Sequence, residues 1–96
     1  MRIIIREKAD ADLDGIYSWI EKDNPRAAVE IIRRIRERVG RLASPTLAQM
    51  GRPGLERGTR ELVIGPYIVV YEVHEDRGEV VVLAVVHGAQ DRRAGD

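Results

Sequence analysis

The chain has no cysteine and no phenylalanine, and it carries one tryptophan and three tyrosines in 96 residues. Without Cys there is no disulfide staple, and the composition fits a reducing compartment. With so few aromatics, Ile, Val and Leu must do most of the packing. Ser18 and Ser44 are the only serines, and neither sits in the setting of a nucleophile elbow. No Gly-rich phosphate loop follows a strand, and no His or Cys cluster has metal-ligand spacing, so neither a metal nor another cofactor is expected. No stretch is long enough to span a bilayer, and Ile3-Ile4-Ile5 is too short for a signal-peptide core, so a cytoplasmic location is expected. What remains is one domain, 1–96, expected to bury roughly 65% of its unfolded surface, enough for a core without staples.

The net charge of zero conceals segregation. Between Glu7 and Asp23 stand Glu7, Asp10, Asp12, Asp14, Glu21 and Asp23 against Lys8 and Lys22. Between Pro25 and Leu42 stand Arg26, Arg33, Arg34, Arg36, Arg38 and Arg41 against Glu30 and Glu37. Six charges less two leaves the first segment four negative and the second four positive.

Arg2 to Arg6 holds a short β-branched run that favours a strand, although a run so short is also compatible with the start of a helix. From Ala9 the period changes. Ala9, Leu13, Ile16, Tyr17 and Ile20 form one face of an amphipathic helix, with its acidic residues on other faces and Trp19 off the stripe. Asn24-Pro25 restarts the chain, since Asn caps a helix N-terminus and Pro suits its first position. The second helix shows Ala28, Ile31, Ile32, Ile35, Val39 and Leu42 on one stripe, and the short connection makes the two helices antiparallel neighbours. From Ala43 to Gly58 periodicity is lost among Ser44, Pro45, Gly51, Pro53, Gly54 and Gly58, which predicts a long connecting loop.

The second half, Thr59 to Gln90, predicts an antiparallel meander of three strands punctuated by Gly65-Pro66 and by His74 to Gly78. Alternation places Tyr67, Val69, Tyr71 and Val73 on one face of the middle strand. In the last strand it groups Val81, Leu83, Val85 and His87 on one face and Val80, Val82, Ala84 and Val86 on the other. Apolar residues on both faces imply a strand covered on both sides, or covered on one side and in contact with a partner on the other.

Candidate functional residues lie at the ends of that sheet. His87, an imidazole at a strand end, is a candidate general acid or base, or else simply bonds the adjacent turn. Arg52 and Arg57 on the loop, Arg60 at the first strand, and Arg92 and Arg93 after the last are a potential basic rim for phosphate or an acidic peptide, or else ordinary surface cations. Tyr67 and Tyr71 either stack on a base or belong to the core.

The whole pattern resembles the RelE/ParE superfamily of bacterial toxins. The matching residues are 11–17 (ADLDGIY), 24–28 (NPRAA), 58–62 (GTREL), 67–73 (YIVVYEV) and 86–90 (VHGAQ), in order and over nearly the whole chain. The resemblance implies an α+β fold, with an N-terminal strand and an antiparallel helical hairpin packed on an antiparallel β-sheet. It also implies a cytoplasmic, growth-inhibiting toxin of a type II toxin–antitoxin system, held inactive in a hetero-oligomer with a cognate antitoxin protein. RelE-like members cut mRNA on the ribosome and need a base, an acid and cations around the scissile phosphate. For that activity this chain offers Arg60, His87, Arg92 and Arg93, but no Tyr after Tyr71 and no Lys after Lys22. ParE-like members poison DNA gyrase by protein contact and need no catalytic set. The incomplete nuclease set favours the ParE-like branch, a non-enzymatic gyrase inhibitor, over a RelE-like ribosome-dependent mRNA endoribonuclease. On either branch, Arg52, Arg57, Arg60, Tyr67, Tyr71 and His87 are the residues expected at the antitoxin or target rim.

Overall fold

The computed structural model describes residues 1–88. Strand β1 (Arg2–Ile5) leads without a break into helix α1 (Glu7–Glu21). Arg6 is the joint: its N–H donates to Val82 C=O as the last rung of the sheet, and its own C=O accepts from Asp10 N–H as the first turn of the helix. Helix α2 (Pro25–Gly40) starts as its sequence predicts, with the Asn24 side chain accepting from Ala27 N–H at 3.1 Å and Pro25 in the first turn. A single 3₁₀ turn, Arg41–Ala43, follows.

Strand β2 (Arg52–Pro53) is two residues long and lies within the stretch expected to be loop. Strands β3 (Arg60–Ile64), β4 (Tyr67–His74) and β5 (Glu79–His87) make the expected meander. Gly65, with φ +59°, occupies the first position of the two-residue turn between β3 and β4, where L side chains are strained. The spatial order is β1-β5-β4-β3-β2, antiparallel throughout except that β1 joins β5 in parallel. That one parallel pairing follows from chain direction, because α1, α2 and the meander intervene before the strand's neighbour arrives.

Both helices cover one face of the sheet. Ala9 and Leu13 from α1, Ile35 and Val39 from α2, and Leu42 meet Leu62, Ile64, Val69, Tyr71, Val80, Val82 and Val85 in a single core. Each large aliphatic side chain buried there contributes about 1.5–3 kcal/mol.

The face assignment of β5 differs from strict alternation. Val70 pairs with Ala84 but Tyr71 pairs with Val82, so Leu83 is an extra residue in a β-bulge. The bulge resets the period. Val80 and Val82 face the helices before it, and Val85 and His87 do so after it, so Leu83 does not share their face as alternation predicts. Without this shift, either Val82 or Val85 would leave the core.

Candidate interaction surface

Of the predicted basic rim, Arg52, Arg57 and Arg60 are among the described residues. Arg60 opens β3 on the helix-covered face opposite Tyr71, and its guanidinium donates to Gln49 C=O at 2.9 Å and to Gly51 C=O. Arg52 pairs with the buried Glu61 carboxylate at 3.1 Å across the β2–β3 ladder. Arg57 is exposed on the loop before β3. His87 lies opposite Tyr67 on β5. Arg60 is opposite Tyr71, four residues further along β4 and on its other side, which separates the two by about 13 Å along the strand alone. Arg92 and Arg93 fall outside the described residues.

Of the two readings open for Tyr71, the structure shows the core one. Its ring is fully buried, and its hydroxyl donates to Ala48 C=O at 2.9 Å and accepts from Gly51 N–H at 3.0 Å. Tyr71 and Arg60 together hold the 48–51 loop against the end of the core, so neither is presented to a ligand. Gly51 must be glycine here, because a Cβ would fall 2.6 Å from Glu61 O and 2.7 Å from the Tyr71 hydroxyl.

Tyr67 and His87 do come together, at the other end of the sheet. Their rings meet edge to face with centroids 5.7 Å apart. His87 Nδ1 is shielded from solvent and has no hydrogen-bond partner among the described residues. Both line a groove of about 610 Å³ with Asp12, Gly15, Ile16 and Trp19.

Trp19 was not singled out from the sequence as functional, yet it is the most exposed large hydrophobic residue described, at 72%. It stands between the Tyr67–His87 groove and a second, apolar groove of about 270 Å³ that includes Ile20, Ile31, Arg34, Ile64 and Pro66. Lys22 Nζ lies 5.5 Å from the Trp19 ring centroid. The available signal was its place off the apolar stripe of α1. Flanking it on α1, the Glu21 carboxylate raises the Tyr17 phenol above its ordinary value, chiefly by charge and then by hydrogen bonding.

The arginines of α2 divide into two groups. Arg33 pairs with Glu30 and Glu37, Arg36 with Asp10, and Arg41 with Glu37. Arg26, Arg34 and Arg38 make no ion pair among the described residues. No group of His, Cys, Asp or Glu among the described residues is arranged to hold a metal ion.

This arrangement is a set of apolar and aromatic grooves around a hairpin and a sheet, with its cations dispersed. The model of the ParE toxin of the parDE type II toxin–antitoxin system matches residues 3–92. The chain belongs to the ParE toxin family. A Sinorhizobium fredii protein named toxin Y4kP is 42% identical over 80 residues, covering 81% of this chain and 78% of that protein. Among solved structures, a chain of the chromosomal ParDE toxin–antitoxin system from Pseudomonas aeruginosa superposes with a TM-score of 0.81 at 28% identity, covering 91% of this ParE chain and 95% of that one. A chain of the toxin–antitoxin complex RelBE2 from Mycobacterium tuberculosis superposes with a TM-score of 0.60 at 24% identity, covering 90% and 88%, which shows the shared α+β fold.

Proposed function

We propose that this ParE-family toxin inhibits DNA gyrase by protein contact and is neutralised by a cognate antitoxin. Family membership and the likeness to a chain of a ParDE system support the reading. The observation that carries the choice of target is the separation of Arg60 from His87, the two candidate nuclease residues among the described residues. Cutting RNA by attack of the ribose 2′-hydroxyl needs a base, an acid and a cation around one phosphate. Here Arg60 is committed to two backbone carbonyls, and His87 is about 13 Å away along the sheet. Grooves lined by Trp19, Tyr67, Ile20 and Ile31 suit protein partners instead.

No described helix is long and apolar enough to cross a membrane, and the proposed site of action is the cytoplasm, where gyrase works. The test is supercoiling by purified gyrase as toxin is titrated, with a translating extract run beside it. Loss of supercoiling without codon-positioned mRNA cleavage supports the gyrase reading. Cleavage with intact supercoiling assigns the chain to the RelE-like activity.

A further inference from the structure

We propose that the groove on the β5 flank of α1, lined by Gly15, Trp19, Tyr67 and His87, is the surface that meets gyrase, and that it receives an arginine side chain from a basic segment of that enzyme. The proposal rests on the gyrase reading above and names the site and chemistry of the contact. Its first support is Gly15. Glycine is the poorest helix residue after proline, yet Gly15 stands in the middle of α1. No internal contact asks for it. Among the described residues, no atom beyond its own stretch of helix lies within 4 Å of a Cβ placed there, and the residue is exposed. A glycine without an internal reason leaves room for something from outside to approach the helix backbone closely. Ala11, one turn earlier, is also exposed and lines the same groove, so the α1 wall is low over two turns. One turn beyond Gly15 the exposed Trp19 ring rises from the same helix.

The second support is the chemistry of the walls, which suits a cation. Trp19 already has Lys22 Nζ at 5.5 Å from its ring centroid, so its indole face is one that a cation can reach. The Asp12 carboxylate lines the same groove, within a segment, Glu7 to Asp23, that is four charges negative. Its cation in the free chain is Lys8, whose side chain is 67% exposed, and a surface pair of that kind is weak and readily exchanged. On the facing wall, His87 Nδ1 is a polar atom without a partner among the described residues. Arginine fits these walls better than lysine, because its planar guanidinium stacks on aromatic rings and shares a carboxylate through two N–H groups. Gyrase grips DNA, and a protein that does so carries arginines and lysines for the phosphates. Trp and Arg are also the residue types that dominate the binding energy of protein interfaces.

Trp19 and Tyr67 also wall the neighbouring apolar groove and Gly15 does not, so the test is made at Gly15. Supercoiling by purified gyrase is titrated with the full native chain, with Gly15→Gln and with Gly15→Lys. Melting curves and calorimetric binding to the product of the adjoining gene are measured beside it. Absence of inhibition by the native chain overturns the gyrase reading and this site with it. Both variants are expected to melt several degrees above the native chain, because Gln and Lys favour a helix interior where Gly does not. Given native inhibition, Gly15→Gln is expected to need about tenfold more toxin for half inhibition, because its side chain fills the approach to the helix. Gly15→Lys is expected to need about 100-fold more, because it also repels the incoming guanidinium, and the gap between the two variants should narrow at high salt. Antitoxin binding is expected to stay at the native level in both. Native-like inhibition by both variants overturns the site and leaves the gyrase reading standing. Equal losses in the two overturn the arginine. Lost inhibition accompanied by lost antitoxin binding or a lower melting temperature also overturns the site, since the damage then reaches beyond this groove.

Discussion

Asp12 Oδ2 accepts a hydrogen bond from the backbone N–H of Val85 at 2.9 Å, joining α1 to β5. β1 ends at Ile5, opposite its partner Val82, and beyond the bulge at Leu83 the Val85 amide faces an edge with no strand among the described residues. A side-chain carboxylate takes the place of the missing strand carbonyl, while Lys8 holds it at 2.9 and 3.0 Å. Asp12→Ala is expected to destabilise the fold by about 1–2 kcal/mol in urea unfolding, because the amide loses its acceptor. Asp12→Asn keeps an oxygen in place and is expected to lose less than half of that. Equal losses would show that the charge, not the acceptor, matters.

Tyr71→Phe preserves the buried ring but strands Ala48 C=O and Gly51 N–H. The expected cost is about 1–3 kcal/mol, with faster exchange of the Gly51 amide. Gly51→Ala attacks the same contact from the other side and is expected to cost a similar amount through overpacking. Wild-type melting curves for both variants would contradict the role given to this loop.

Arg60 bridges the same loop to β3. Arg60→Ala is expected to lower stability by about 1–3 kcal/mol, since two carbonyls lose a charged donor. In a translating extract both Arg60→Ala and the native protein are expected to leave mRNA uncut. Cleavage by the native chain that vanishes in a fully folded Arg60→Ala would restore Arg60 as a catalytic residue.

Glu79 closes the other end of the sheet between Arg2 and Arg77. The hydrogen bond from Arg2 is the chief cause holding its carboxyl below the usual range, with the charges of Arg2 and Arg77 and the Arg77 hydrogen bond adding to it. A depressed folded-state value means the stabilisation is present above the unfolded-state value. It is lost as pH falls through the lower folded-state value. Glu79→Gln is therefore expected to be less stable than native near neutral pH, and the difference should shrink on acidification below about pH 4. A difference independent of pH would remove the ion pairs from this account.

Much of this fold is legible in the chain. Asn24-Pro25 marks the start of α2 because its capping chemistry is local, and the Gly65-Pro66 turn marks a hairpin for the same reason. The bulge at Leu83 is not legible, since Val80 to Val86 is apolar on both faces and alternation alone cannot show where the period slips. β2 is hidden because two residues carry no period. The site is harder to read than the fold. Arg60 and Arg52 look alike in sequence to cations that bind phosphate, and only the positions of Gln49 C=O, Gly51 C=O and Glu61 show that they are engaged internally.

The central claim is gyrase inhibition by protein contact, and supercoiling of relaxed plasmid by purified gyrase tests it most directly. Added toxin is expected to suppress supercoiling in proportion to its concentration, and prior mixing with the antitoxin is expected to restore it. Full supercoiling at saturating, folded toxin would contradict the claim.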